Sequence, residues 1–165
     1  MFIKNKIKFL IILIQLLLLN NSYGQDVDYA GTYTYGASPD KGRTGVIYVY
    51  PDSDSTLLFY LELNRGAPSY NSGAITGQMN IYSPGKANFT MIKETDFINC
   101  SMNFWFTNDS LFIRTNDKAD ECGYGYGIHS YGDFKRTNKE KPEFFIERNG
   151  EKTWFKSLDW RKMWN

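Results

Sequence analysis

The side chains that could perform catalysis are few in this chain. His129 is the only histidine, so a Ser–His–Asp or Cys–His arrangement would have to use it. Its neighbours Ile128 and Ser130 form no nucleophile motif, and we expect both cysteines to be oxidised. The alternative is that His129 is a surface residue on a strand edge with no catalytic role.

The acidic residues include two local groups. Asp52–Thr56 resembles the start of a calcium loop, but the glycine and the distal glutamate of such loops are missing, and a polar hairpin turn is the alternative. Asp117, Asp120 and Glu121 lie beside Lys118, as in a solvated loop. Paired carboxylates can hydrolyse glycosides, yet none of the 18 acids has a catalytic context. The sequence predicts no metal, no cofactor and no enzymatic activity, and a carboxylate-based glycan hydrolase is the catalytic alternative.

The most unusual segment is the glycine-tyrosine stretch Gly123–Gly127. Its glycines permit positive φ and close backbone approach, and Tyr124 and Tyr126 can project on one side. Tyrosine is a favoured contact residue at binding surfaces. We predict a binding loop here, and the alternative is a tight structural crossing with both tyrosines in the core.

A second binding loop is predicted between two strands, at Arg65–Asn71. Long loops on rigid β scaffolds often carry binding residues. The candidates in this loop are Arg65, Ser69, Tyr70 and Asn71. A passive surface connection is the alternative.

The first 24 residues have the layout of a secretory signal peptide. Three lysines precede an apolar run of about ten residues, which is too short for the roughly 20 that span a bilayer, and small residues precede a cut near Gly24/Gln25. Cleavage leaves 16 basic and 18 acidic residues, so the exported chain lacks the excess of basic residues that nucleic-acid binding requires. We therefore expect a periplasmic or secreted protein without a membrane span that binds no nucleic acid and is a monomer.

The two cysteines, Cys100 and Cys122, are both in the exported part. An even pair in an oxidising compartment predicts a disulfide. Two free thiols or a metal pair are the alternatives, and a single histidine with no CxxC motif disfavours zinc.

Strand-like runs with period-two alternation and turn residues between them follow the signal peptide. Eight runs are Tyr29–Gly36, Gly45–Tyr50, Thr56–Leu63, Ala74–Tyr82, Ala87–Lys93, Phe97–Phe106, Ser110–Thr115 and Gly132–Arg136. A polar loop is predicted at Asn116–Glu121, a C-terminal hairpin at Glu143–Lys156 and a short helical turn at Ser157–Trp164.

These strands predict an all-β fold in one domain, residues 25–165. An antiparallel barrel of about eight strands with a C-terminal hairpin is expected, because closure removes the exposed edges of an open sheet. A β-sandwich is the alternative.

The stretch from Cys100 to Phe134 resembles a pattern in poorly characterised bacterial periplasmic β domains. There a Cys-Gly-aromatic-Gly segment, here Cys122–Gly125, precedes a final strand. In size, export, strand number and single disulfide, the chain is also similar to periplasmic lysozyme inhibitors, which are small β-barrels. The start at Tyr29–Tyr33 is similar to that of calycin-like barrels, although the tryptophan of their Gly-x-Trp is absent.

The inhibitor-like resemblance implies a barrel whose loops contact a protein. Those inhibitors present a Ser-Gly-x-x-Tyr loop, whereas Ser72-Gly73 is followed here by Ala74–Thr76 with no tyrosine, so no inhibitory residue is transferred. We predict an exported, non-enzymatic envelope protein that contacts a protein partner through barrel-end loops. A barrel with a small hydrophobic ligand inside is the alternative.

Overall fold

The computed structural model describes residues 27–93 and 98–159, the side chains of residues 116–120 excepted. The predicted signal peptide lies outside these ranges. The strands are β1 (Gly31–Tyr35), β2 (Thr44–Pro51), β3 (Thr56–Asn64), β4 (Ser72–Ser83), β5 (Lys86–Lys93), β6 (Ile98–Phe106), β7 (Ser110–Glu121), β8 (Gly132–Asn138), β9 (Phe144–Ile146) and β10 (Lys152–Trp154). Single turns of 3-10 helix lie at Pro39–Lys41 and Phe155–Ser157.

The first eight strands close into an antiparallel barrel. Each pairs with the next along the chain, and β1 returns to pair with β8. The strands β9 and β10 form a separate two-stranded sheet. The predicted all-β barrel with a C-terminal hairpin is therefore confirmed, and the sandwich alternative is wrong.

Alternation along the strands fills the barrel interior with apolar side chains. Phe59 belongs to this core, with its ring centroid 5.2 Å from that of Phe89 and 5.6 Å from that of Phe104. All three rings are buried. Large aromatic rings suit this position because they fill the interior without leaving voids.

The C-terminal hairpin covers part of the outer barrel wall. Phe145 stacks on Tyr60 at 4.2 Å, and Phe155 stacks on Tyr50 at 5.3 Å. The strand β3, which the sequence pattern predicted to be half-buried, is therefore buried on both faces from Leu57 to Leu61. Burial of the stacked rings, about 2 kcal/mol for each aromatic side chain, holds the hairpin on the wall.

The strand β7 is longer than predicted. The segment Asn116–Glu121, predicted as a polar loop, belongs to this strand, and its end pairs with the start of β6 at Cys100–Asp120 and Asn99–Glu121. Backbone pairing and the neighbouring disulfide extend the strand despite its polar sequence, since strand propensity is strongly dependent on context.

The helical turn near the C-terminus begins earlier than predicted. It spans Phe155–Ser157 and contains the buried Phe155, which packs on the barrel. Of the predicted segment Ser157–Trp164, the part from Trp160 onward lies outside the described residues.

The connections divide between the two ends of the barrel. At one end, here called the loop end, lie the β1–β2, β3–β4 and β7–β8 loops, residues 36–43, 65–71 and 122–131. At the opposite end, the turn end, short turns join β2 to β3, β4 to β5 and β6 to β7. Both predicted binding loops are at the loop end.

Candidate functional site

The β7–β8 loop begins at a disulfide. Cys122 is bonded to Cys100, with 4.6 Å between their Cα atoms, which confirms the predicted pair. Near the end of the loop, Ser130 is fully buried and its Oγ lies 3.2 Å from Cys122 Sγ. Ile128 is also buried. These contacts fix both ends of the loop to the barrel.

The two tyrosines of this loop have different environments. Tyr124 is half-buried and packs against the barrel core. A Cβ atom at Gly73 would lie 2.5 Å from its Cδ1, so only glycine allows the ring to approach β4 so closely. Tyr126 is 86% exposed. The structure therefore separates a packing tyrosine from one that is open to solvent.

The β3–β4 loop supports Tyr126 from the side. Asn71 Nδ2 donates a hydrogen bond of 2.8 Å to the carbonyl oxygen of Tyr126. The Arg65 guanidinium lies over the Tyr126 ring, 5.7 Å from its centroid. The Arg65 backbone N–H donates to Asn71 O at 2.8 Å and closes the loop, and Ser69 is exposed on it. The two loops predicted separately thus form one surface.

Tyr70 connects the β3–β4 loop to the β1–β2 loop. Its hydroxyl donates to Asp40 Oδ1 at 2.8 Å. Its backbone has φ of 50°, in the left-handed region that bulky residues rarely adopt, and its N–H donates to Gly66 O at 2.9 Å. Such a conformation costs on the order of 1–3 kcal/mol and persists only where neighbouring contacts hold it.

The β1–β2 loop also contributes to this surface, although no feature of the sequence alone predicts it. Arg43 lies over the ring of Tyr131, 5.1 Å from its centroid, and donates to Tyr131 Oη and His129 O at 3.4 Å each. His129 stacks on Tyr131 with 5.6 Å between centroids. Ala67 N–H donates to Pro39 O at 2.9 Å and joins the β3–β4 loop to this one. Barrel topology is the signal that could have located this loop, because it places all three loops at one end.

Two tyrosine hydroxyls at the loop end have raised pKa values. Burial raises the pKa of Tyr35, and the nearby Arg43 opposes this change. The hydrogen bond to Asp40 raises the pKa of Tyr70. Both hydroxyls therefore stay protonated at neutral pH, and that of Tyr70 donates to Asp40.

The exposed part of this arrangement is here called the loop-end surface. Its members are the exposed Arg65, Tyr70, Tyr126 and Tyr131 and, beside them, the half-buried Arg43. It offers aromatic faces, guanidinium donors and phenolic hydroxyls, which suit recognition of another molecule by stacking and hydrogen bonding. His129 lies at its edge, exposed and stacked on the Tyr131 ring.

The acidic segments do not form a metal cluster in the described part of the chain. Asp52–Thr56 is a hairpin turn in which Thr56 Oγ1 donates to Asp52 Oδ2 at 3.3 Å. The side chains of Asp117 and Asp120 lie outside the described atoms, and Glu121 is exposed. Across residues 27–93 and 98–159, the described side chains include no group of three or more His, Cys, Asp or Glu that could hold a metal ion.

Comparisons with known proteins do not extend this description. The described segments contain no helix with the length and hydropathy that a membrane span requires. The resemblances drawn from the sequence stay predictions. Searches among protein families, curated proteins and solved structures find no match to this chain.

Proposed function

We propose that the chain is an exported, non-enzymatic protein that binds a protein partner through the loop-end surface. The observation that carries this proposal is the position of Tyr126. Its ring is 86% exposed, although its backbone is bound by Asn71 and its face is stacked by Arg65. Exposed aromatic rings with adjacent arginines are the side chains that most often dominate protein–protein binding energies.

The contacts among the three loops support this use of the surface. Hydrogen bonds join the β3–β4 loop to both of its neighbours, through Ala67–Pro39, Tyr70–Asp40 and Asn71–Tyr126. A surface that is already ordered loses less conformational entropy on binding than a mobile one does. The exposed side chains can therefore use more of their contact energy for affinity.

The proposed location in the periplasm or outside the cell has two supports. Residues 1–24 have the composition of a secretory signal peptide. The Cys100–Cys122 disulfide is typical of proteins that reside in oxidising compartments.

The two alternative functions have weaker support. A ligand inside the barrel would need the space that Phe59, Phe89 and Phe104 occupy. A carboxylate hydrolase would need two facing acids in a cleft, and the loop-end surface offers Asp40, which is bound to Tyr70. Binding through the exposed rings of the loop-end surface requires neither an empty barrel interior nor two facing carboxylates.

Site-specific photo-crosslinking tests the proposal. A benzophenone amino acid replaces Tyr126 in the exporting cell, and the matched control places it at Tyr82, another exposed tyrosine on the outer wall of β4. We expect irradiation to attach one discrete protein to the Tyr126 variant and none to the Tyr82 variant. The products are identified by mass spectrometry after denaturing purification.

A second variant separates binding from folding. Tyr126→Ala should keep the free energy of unfolding within about 0.5 kcal/mol of the parent, because the removed ring is exposed. With the benzophenone amino acid placed instead at Tyr131, another exposed tyrosine of the loop-end surface, the Tyr126→Ala change should abolish the capture of the protein. Equal capture at Tyr82 and Tyr126, or no capture at either position, would contradict the proposal.

A further inference from the structure

The strands β4 and β5 separate along part of the barrel wall. Both strands are described over their whole length, and they pair only beside the turn that joins them, from Asn80–Asn88 to Ser83–Lys86. By contrast, β3 pairs with β4 over nine residues, and β6 pairs with β5 over eight. Beyond the Asn80–Asn88 pair, a cleft of about 520 Å³ lies between the two strands and is here called the β4–β5 cleft.

This cleft has an apolar floor and a largely polar rim. Phe89 and Met91 line the floor and are buried. A Cβ atom at Gly77 would lie 2.5 Å from Phe89 Cε2, so only glycine on β4 allows the Phe89 ring to fill the space behind the cleft. The rim residues are Gln78, Asn80, Asn88, Thr90 and Ile92. A concave site with an apolar floor and a few polar groups is the usual form of a small-molecule site.

Two amides of the rim have unused hydrogen-bonding groups. Within the described residues, neither the Asn80 nor the Asn88 side chain has a hydrogen-bond partner, and both are exposed. They lie opposite each other in the ladder, where the Cβ atoms of neighbouring strands are about 5 Å apart. The Gln78 amide, in contrast, donates to Asp52 Oδ2 at 3.2 Å. Asn80 and Asn88 therefore offer two carbonyl oxygens and two NH₂ groups to a ligand.

The lining of the cleft contains no charged side chain. The charged residues beside it in the fold or in the sequence have both signs, and they are Asp52, Lys86, Lys93, Glu94 and Asp96. An ionic ligand of either sign would therefore meet no matching charge inside the cleft and mixed charges around it. A purely apolar ligand is also disfavoured, because it would bury the rim amides without hydrogen bonds. The ligand that fits is uncharged and carries hydrogen-bonding groups.

An extended peptide fits the cleft poorly. It would have to add to a strand edge, but Thr76 and Gly77 are buried, so the edge of β4 is covered beyond Gln78. A sugar ring fits better. A side-chain amide accepts from one hydroxyl and donates to the next, so it matches the adjacent hydroxyls of a sugar, and the apolar floor matches the C–H face of the same ring.

We infer that the β4–β5 cleft binds an uncharged sugar, whose hydroxyls are held by the Asn80 and Asn88 amides. This site goes beyond the proposed function, because it shares no residue with the loop-end surface and lies in the side wall of the barrel.

Nuclear magnetic resonance titration of the exported chain tests this inference. The probes are maltotetraose, cellotetraose, mannotetraose and chitotetraose. We expect at least one of them to shift the amide signals of residues 78–80 and 88–92, with an affinity that is the same at low and high salt because no ion pair forms. Tetragalacturonate, which is charged, and capped hexaserine, which could add as a strand, should leave these signals unchanged.

Variants assign the effect to the two amides. Asn80→Ala and Asn88→Ala should each weaken sugar binding about fivefold, which is about 1 kcal/mol for a lost hydrogen bond, and the double variant should abolish the shifts. The matched control is Asn103→Ala on β6, which should bind as the parent does. Asn103 is the exposed cross-strand neighbour of Asn88 but does not line the cleft. Since all three side chains are exposed, each variant should stay folded.

Three results would each overturn the inference. They are the absence of shifts with all four sugars, equal weakening of binding by Asn103→Ala and Asn88→Ala, and equal binding of tetragalacturonate or hexaserine at the cleft. The photo-crosslinking result at Tyr126 does not enter this test, so a failure here leaves the proposed function standing. The expected result is sugar binding that depends on Asn80 and Asn88 and is independent of Asn103.

Discussion

Each end of the barrel has an arginine that lies over a tyrosine ring, but one of these pairs is buried and the other is exposed. At the turn end, the Arg136 guanidinium lies 5.6 Å from the Tyr33 ring centroid, its side chain is only 2% exposed, and it forms an ion pair with Asp28 at 2.7 Å. At the loop end, Arg65 lies on Tyr126 and both are exposed. An arginine on a tyrosine is thus part of the packing at one end and part of the surface at the other.

The lengths of the connections explain this difference. At the turn end, the chain before β1 lies across short turns, with the Tyr29 hydroxyl accepting from Gly85 N–H at 2.9 Å and the Tyr29 ring 5.0 Å from that of Phe106. At the loop end, connections of seven to ten residues contact one another and hold aromatic rings outward. Longer connections therefore permit exposed rings on a fixed backbone.

The largest expected effect is at the loop end and comes from the disulfide. Replacing both Cys100 and Cys122 with alanine should lower the free energy of unfolding by about 3 kcal/mol, because the unfolded chain loses a crosslink that spans 22 residues. Urea denaturation measures this loss. Hydrogen exchange should show added opening in residues 122–131, while the turn end opens only as the whole barrel unfolds.

The parent protein treated with a reductant provides the control for the disulfide variant. It should lose the same free energy of unfolding, because reduction removes the crosslink without changing any side-chain volume beyond the sulfur atoms. Equal added opening at Gly85 and at residues 122–131 would mean that the two ends are not independent.

The next effect is at the turn end and depends on pH. Burial raises the pKa of Tyr33 to about 12 from an ordinary value of 10; the Arg136 charge lowers this pKa and the Asp28 charge raises it, both by less than burial does. Since the folded value lies above the unfolded one, the stabilisation is complete below pH 10 and is lost as the pH rises towards 12. The loss amounts to about 2–3 kcal/mol, and Tyr33→Phe should remove it from urea denaturation curves.

The matched variant for this prediction is Tyr70→Phe at the loop end. The Tyr70 ring is exposed and its pKa is raised by one hydrogen bond to Asp40, so its removal should change the alkaline loss of stability far less. An alkaline loss that persists in Tyr33→Phe and disappears in Tyr70→Phe would reverse the assignment of buried and exposed tyrosines.

Much of the fold follows from local sequence patterns. Alternation in Phe97–Phe106 predicted β6, Asn149-Gly150 predicted the hairpin between β9 and β10, and two cysteines in an exported chain predicted their pairing. These features depend on residues close in sequence or on composition. The polar end of β7 was mispredicted because backbone pairing with β6, rather than its own side chains, keeps it extended.

The site was less predictable because its contacts join distant parts of the chain. Arg43 and Tyr131 are 88 residues apart, and nothing in the sequence around Arg43 indicates a stacking partner. Tyr124 and Tyr126 have almost the same local sequence, yet the backbone approach at Gly73 packs the first ring against the barrel, and the second ring is exposed. The packing of the loop against the barrel, rather than the local sequence, determines which of the two tyrosines is exposed.

The smallest expected effect is the loss of stability when an arginine of either end is replaced by methionine. Arg136→Met should lower the free energy of unfolding by about 2 kcal/mol, because it removes the donors to Asp28, to the Ala30 carbonyl oxygen and to the Asn108 carbonyl oxygen. Arg65→Met removes an exposed side chain and should change that free energy by no more than about 0.5 kcal/mol. Urea denaturation of both variants at neutral pH measures the two values. An equal loss of stability in Arg65→Met and Arg136→Met would show that the loop-end arginine stabilises the fold. The low cost of replacing Arg65 would then no longer support a binding role for this surface.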